Sequence, residues 1–351
     1  EEVATSEFGS FMPCLVRPVG STPSLGDPLV DEYLRFTAAR VRANTLTAQA
    51  FDLKVFFTVV PKAPQQVTVT DVLLFIEAQR APRRGGNVIR LADGEAGLAA
   101  STIKRRLATV SSLFDYLFLR GVCDRNPVPR SLGARHARPD GRGHGGRRGA
   151  PLVRAPRKLP RVLAPAEVGA LTGALRTDRD RAMVALMVHG GLRRCEVLGL
   201  RFEHVQVGDR RVFVADGKGG HQRLVPVADV FFTTLASYLS GERPAEAVDD
   251  HVFVVLKGPN RGRPLTAAGL DEVMAGARGR AGLSHASCHE LRHTCFTRLR
   301  EAGMALEAIQ AQAGHASIET TRVYLHLSND WLAGEYQRAM AILDGLHEEE
   351  P

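Results

Sequence analysis

The chain has 351 residues, 44% of them hydrophobic, which is enough for two domains with separate cores. Lys and Arg outnumber Asp and Glu by 46 to 38, a formal charge of +8 with a pI near 9.6, and that balance favours an acidic partner such as nucleic acid without requiring one. No apolar run reaches the roughly 18 residues of a membrane span, the opening Glu1-Glu2 lacks the order of a secretory signal, and five scattered cysteines argue against a disulfide framework and for a reducing cytoplasm.

Residues 1–26 lack periodicity and carry Gly9, Pro13, Pro18, Gly20 and Pro23, which predicts a flexible arm. From Asp27 the pattern turns helical. Leu29, Tyr33, Leu34 and Phe36 mark a first helix, and Leu46, Phe51, Leu53, Phe56 and Phe57 a second that begins after Asn44. Thr70 is expected to cap a third, which carries Val72, Leu73, Phe75 and Ile76. After a Gly- and Arg-containing loop over 83–97, Ser101 opens a fourth. Its apolar positions Ile103, Leu107, Val110, Leu113, Phe114 and Leu117 fall on one face, and Gly121 closes it. Lys104, Arg105 and Arg106 near its start read as solvated charge, or as a DNA-facing trio if the rest of the chain handles DNA. Residues 27–128 therefore form a helical first domain.

Between Arg130 and Arg161 stand ten basic residues against one acid, Asp140, among dense Gly and Pro. Such a segment buries too little to offset ordering entropy, so 129–161 is expected to be an extended linker. Arg147, Arg148, Arg154, Arg157 and Lys158 would then lie along phosphates and make binding salt-dependent; a plain tether is the alternative.

Residues 162–351 make the second domain. Helices are expected over 165–175 and 178–189, and strands over 211–215 and 223–227 joined by the turn 216–220. Residues 251–255 are a further candidate strand. Helices then follow over 267–281, 289–302, 306–313, 317–326 and 330–346. Cys195 and Cys295 sit in helical patterns and read as small core residues. The fold class is mainly α with a small antiparallel β-sheet.

Three segments place cationic and imidazole groups where packing alone would not ask for them. Arg193 follows the paired glycines Gly190-Gly191 and precedes Glu196. Lys218 lies in the turn, flanked by Gly217 and Gly219. His289 and Arg292 are three apart on one helix face, Gly314-His315 follows a helix end, and Tyr324 sits on the second turn of a helix capped by Ser317. Each alone has an ordinary reading: a surface Arg, an exposed turn Lys, a core Tyr.

Taken in order, Arg193, Lys218, His289-x-x-Arg292, Gly314-His315 and Tyr324 resemble the tyrosine recombinase (phage-integrase-like) family. Leu291-Arg292-His293-Thr294, Ile309-Gln310 and Thr320-Thr321 strengthen the likeness, which covers about 161–340. A looser one over 27–127 rests on Thr45-Leu46 and Asn126-Pro127, and Ala311-Gln312-Ala313 departs from the Leu-Leu usual in the family. The resemblance implies a two-domain C-shaped clamp, with a helical (SAM-like) core-binding domain and a mixed α+β catalytic domain. It implies a site-specific DNA recombinase, acting in integration, excision, resolution or transposition through a 3′-phosphotyrosyl intermediate, with no metal, cofactor or ATP. Implied partners are double-stranded DNA with a specific core site and further copies of the chain, a dimer per site and a tetramer in synapsis, in the cytoplasm beside the nucleoid. An apolar stripe of Trp331, Leu332, Tyr336, Met340 and Leu343 would dock on a neighbour or on its own domain.

The chemistry explains the residue types. Attack on a phosphodiester builds charge on the non-bridging oxygens, and fixed guanidiniums stabilise that charge more in the transition state than before it. Arg193 and Arg292 are the expected clamp, Tyr324 the nucleophile, His289 the base or relay, and His315 a donor to the phosphate. The resemblance gives Lys218 the role of protonating the departing 5′ oxygen, and Glu196 the support of Arg193. Three other readings stand beside this one. His289-Glu290-x-x-His293 has the letters of a zinc-peptidase motif, though a third ligand is hard to find. A type IB topoisomerase shares the attack, and a DNA-binding module without catalysis would share the fold.

Overall fold

Two of the first unit's four described α-helices, the first and the third, begin where the sequence supplies a side-chain cap. Asp27 accepts from the main-chain N–H groups of Leu29 and Val30 at 3.0 Å and opens α1 (Pro28–Ala38), whose Pro28 needs no N–H partner. Next come α2 (Ala43–Val59), α3 (Val69–Arg80) and α4 (Ala100–Leu119). The cap of α3 is Thr68 rather than Thr70. Asp71 accepts from the Thr68 N–H at 2.9 Å and from its hydroxyl at 2.8 Å, and only Thr68 has an acid three residues on. Similarly, α4 starts at Ala100, one residue before Ser101.

The computed structural model describes residues 11–17, 21–81, 97–129, 152–154, 161–215, 217, 222–247, 249–315, 321 and 340. The chain divides into two compact units, Glu1–Arg157 and Lys158–Pro351. In the first, the Phe56 ring meets the edges of Phe57, Phe75 and Phe114 at centroid distances of 5.1, 5.0 and 6.5 Å, and all four side chains are fully buried. Leu152 and Val153, from the stretch expected to be an extended linker, pack against this core, while Arg154 is exposed. Arg147, Arg148, Arg157 and Lys158 lie outside the described residues.

Asp52, 2% exposed on α2, is the polar centre of this unit. Arg105 donates to it, Thr109 Oγ1 lies 3.2 Å away, and Arg106 Nε stands 3.7 Å from its other oxygen. Arg106, expected on a DNA-facing surface, is turned inward and also donates to Gln79. Lys104 is exposed, and the Arg105 side chain is half-exposed.

In the second unit α5 (Pro165–Gly173) leads into α6 (Asp178–Val188), which is buried continuously from Ala182 to Val188. One short turn, α7 (Arg194–Leu198), precedes an antiparallel sheet of order β1-β2-β3, formed by Val205–Gln206, Arg211–Val214 and Arg223–Pro226. The register pairs Val212 with Val225 and Phe213 with Leu224, so the two valines share the buried face. Then come α8 (Asp229–Gly241), α9 (Ala267–Arg280), α10 (Cys288–Glu301) and α11 (Leu306–Ala313). Both α8 and α10 pack on α6.

Four local expectations differ. Helix α8 and strand β1 were not foreseen. Residues 251–255 form no strand, although Val252, Phe253 and Val254 are fully buried; they make only isolated bridges, Arg201 to His251 and Val254 to Pro264. Cys295 is buried as expected, but Cys195 is exposed, because a five-residue helix hides only one face. The helices expected over 317–326 and 330–346, with Trp331, Leu332, Tyr336 and Leu343, lie almost wholly outside the described residues. Among the described residues no helix is long and apolar enough to cross a membrane.

Replacing Asp52 by Ala leaves Arg106 inside without its anion, and the first unit should lose about 3 kcal/mol of stability, the usual cost of breaking a buried ion pair. Urea unfolding followed by the first unit's signal measures this, and a loss below about 1 kcal/mol, as for exposed pairs, would show that solvent already screens Asp52.

Candidate active site

The site starts from a turn that only glycine can make. After α6 the chain reverses at Gly190-Gly191, where Gly191 has φ +67° and a Cβ would stand 2.4 Å from Phe296 Cζ. Paired glycines leave backbone that another group can approach closely. Here the close neighbour is Phe296, on α10, and the Gly191 carbonyl accepts from Arg292 Nη1. Arg292 is 4% exposed. Its Nη2 donates to Ala313 O at 2.7 Å and lies 3.3 Å from His315 Nε2, while its guanidinium stands 4.8 Å from the centroid of the Phe296 ring.

Arg193 is the N-cap residue of α7. Its N–H donates to Glu196 Oε2 at 2.8 Å and its Nη1 to Glu196 Oε1 at 2.7 Å, and Nη2 reaches Gly314 O at 3.4 Å. Glu196 also receives both Nη groups of Arg223, at 3.0 and 2.8 Å. Burial pushes the Glu196 carboxyl up, but hydrogen bonds and charge from Arg223, with help from Arg193, outweigh it and hold it at about 2. The neighbouring Arg194 points away, to Asp271 at 2.5 Å.

Helix α11 ends at Gly314 in the left-handed conformation (φ +60°), which sets His315 beside Arg292. Gln310 Nε2 donates to the His315 carbonyl at 3.1 Å, and His315 Nδ1 stands 2.9 Å from the buried Thr321 hydroxyl. Because Arg292 can only donate, a proton on Nδ1 fits both ring contacts. Gln312, in the segment that departs from the family pattern, is buried; its Nε2 reaches Gly190 O at 3.3 Å and its carbonyl accepts from Arg223 Nε at 2.8 Å. That departure therefore ties α11 to the glycine turn.

On α10, His289 Nε2 and His293 Nε2 lie 2.8 Å apart, so one donates and the other accepts. Burial, then the nearby Arg and His groups, push the imidazoles toward neutrality. His293 and His315 both fall to about 4, and His289 is lowered by burial and then by Arg292, with Arg193 adding to them against a rise from Glu290. Glu290 belongs to the helix cap: it accepts from the Ser287 N–H at 2.8 Å and lies 3.5 Å from His285 Nδ1. It is thus directed to the start of α10, where a peptidase would need it as a base facing the histidine pair. Among the described residues the His/Cys/Asp/Glu group compact enough for an ion is Asp249, Asp250 and His251, outside this constellation.

The structure thus brings Arg193, Glu196, Arg292 and His315 into one bonded network, with His289 close enough to feel both arginines. Lys218 and Tyr324 lie outside the described residues. Sequence reasoning gave Arg223 no place in the site, and named Gln312 and Thr321 only in weighing the likeness, without a contact to make. A signal for Arg223 was present: strand alternation puts it on the side of Val225, the buried face, where a charge needs a partner.

The phage integrase family profile matches residues 161–330. Tyrosine recombinase XerC of Serratia marcescens is 29% identical over 322 residues, covering 90% of this chain and 95% of that protein. Tyrosine recombinase XerC of Yersinia pestis is 31% identical over 249 residues, 70% of this chain and 74% of that protein. Among solved structures, the Tn1549 transposon integrase in complex with a circular intermediate DNA superposes with a TM-score of 0.65 at 17% identity, covering 89% of this chain and 98% of that one, a likeness of fold. With the two arginines meeting at the Gly314 turn, these similarities show that the chain belongs to the phage integrase family and is a tyrosine recombinase.

Proposed function

We propose that this recombinase cuts one DNA strand by attack of Tyr324 on a phosphate held by Arg193 and Arg292, leaving a 3′-phosphotyrosine and a free 5′-hydroxyl. The supporting observation is the meeting of the two guanidiniums at one turn: Arg193 Nη2 on Gly314 O, and Arg292 Nη2 on Ala313 O beside His315. A phosphate arriving there takes over those donors, and bidentate guanidinium contacts match its oxygens. Released from Arg292, His315 can carry its proton on Nε2 and donate as well.

The phenol, with an ordinary pKa near 10, must lose its proton as it attacks. His289 is the assigned acceptor, kept neutral by burial and by the two arginines. Lys218 returns a proton to the departing 5′ oxygen, and Glu196 orients Arg193. The covalent intermediate retains the bond energy, so rejoining to another strand needs no ATP. Site-specific exchange between duplexes calls for a dimer on each site and a tetramer in synapsis. Exposed Lys104 and Arg105 on α4 and the basic 129–161 stretch are assigned to the DNA backbone, in the cytoplasm beside the nucleoid.

The first test recovers fragments of sheared source DNA that stay attached after boiling in detergent, then rebuilds their shared sequence as a nicked duplex. Tyr324→Phe should bind that duplex and give no attached band; an undiminished band moves the nucleophile elsewhere. Arg292→Ala should keep binding but cleave roughly 100-fold or more slowly, as when an oxyanion donor is removed; cleavage at the wild-type rate removes it from the clamp. Cleavage should also persist in EDTA, and its loss would call for a metal. Because His289 is held below its ordinary value, the single-turnover rate should stay level as pH falls to about 6.5 and drop only in more acid solution. A midpoint above neutrality would assign the limb to another group.

A further inference from the structure

Arg223 is a buried cation that the reaction as described does not use. It opens β3, its side chain is 8% exposed, and all three of its nitrogens are engaged. Nη1 and Nη2 fork onto the two oxygens of Glu196, and Nε donates to the Gln312 carbonyl at 2.8 Å. It also lies against the turn that carries His315: a Cβ on Gly314 would stand 3.0 Å from its Nη1 and 3.1 Å from its Cζ. The guanidinium is therefore packed beneath that turn, where its donors are already bound within the protein.

The geometry points to Arg223 as a positioning residue for strand cleavage, which neutralises Glu196 so that Arg193 keeps a net charge for the phosphate, and which fastens β3 to the His315 turn. The inference rests on the proposed cleavage reaction. Glu196 is one fully buried carboxylate facing two guanidiniums, so the trio retains one positive charge. Without Arg223 the carboxylate has Arg193 alone, and the pair closes to neutrality. A guanidinium drawn fully onto a buried carboxylate gives up donors and field that the transition state needs. The same loss unpins β3 from α11, because Arg223 is the side chain that bonds across to Gln312 O. Charge balance is what distinguishes this role from plain packing, so the test removes the anion as well as the cation.

Arg223→Met keeps much of the volume without the charge. On the captured duplex it should cleave roughly 10- to 100-fold more slowly than wild type, the usual range for a supporting contact, with DNA affinity within about threefold. Adding Glu196→Gln removes the surplus anion, and the double variant should cleave about tenfold faster than Arg223→Met, a non-additivity that packing does not give. Wild-type rates in Arg223→Met, or a double variant no faster than the single, overturn the proposal. Amide exchange over 310–315 in the DNA-free protein should quicken in Arg223→Met; unchanged exchange overturns the fastening. If Arg223→Met does not fold, Arg223→Lys carries the test: it keeps the charge and should cleave within about tenfold of wild type, and a folded Lys variant slower than that overturns the proposal. A wild-type chain that forms no adduct sinks the cleavage reading instead, and the exchange arm then judges Arg223 by itself.

Discussion

A guanidinium removed from water needs acceptors in several directions, and the second unit supplies them to Arg292 largely from main chain. One carbonyl comes from Gly191, in the turn after α6, and another from Ala313, in the last turn of α11. Both carbonyls are available only because the backbone bends sharply next to them, at Gly191 and at Gly314. Carbonyls satisfy the donors without cancelling the charge, so the site can hold a buried cation and still offer it to an anion. Helix α10 carries Arg292, and the turns it bonds carry the flanks of Arg193 and His315. One side chain thus sets the spacing of three segments far apart in sequence.

The protonation states follow from that concentration of charge. Within the bonded network one carboxylate, Glu196, stays ionised because two guanidiniums face it. The imidazoles of His289, His293 and His315 are pushed the other way, chiefly by burial and then by the neighbouring imidazole and guanidinium groups. Permanent cations and neutral imidazoles therefore divide the work. In the proposed reaction the first would stabilise charge and the second exchange protons with the reacting groups.

Local features were legible in the sequence, and long-range ones mostly were not. The amphipathic face of α4, the span of α11 and the glycine at its end follow from spacing within a few residues. Helix α8 escaped because Val230, Phe231, Phe232, Thr233 and Thr234 have the composition of a strand, although Phe231, Leu235 and Tyr238 are buried at helical spacing. The run at 251–255 erred the other way: it is buried like a central strand but has no continuous neighbour to pair with. For the site, the order and spacing of Arg193, Glu196, His289, Arg292 and His315 were readable, and the structure brings Arg193, Glu196, Arg292 and His315 together; Lys218 and Tyr324 lie outside the described residues. What could not be read was which cations face inward. Arg106 finds Asp52 and Gln79, and Arg223 finds Glu196 and Gln312, only once helices and strands distant in sequence have packed.

The contact between Gly191 and Phe296 has a consequence for what can stand at position 191. The phenyl ring fills the space that a methyl on residue 191 would need, and it also lies against the Arg292 guanidinium. A larger residue at 191 would need a strained left-handed backbone as well as a smaller side chain at 296, and that smaller side chain would strip the arginine of an apolar wall. Position 191 is therefore held to glycine twice over, by its left-handed backbone and by the ring that also backs the arginine.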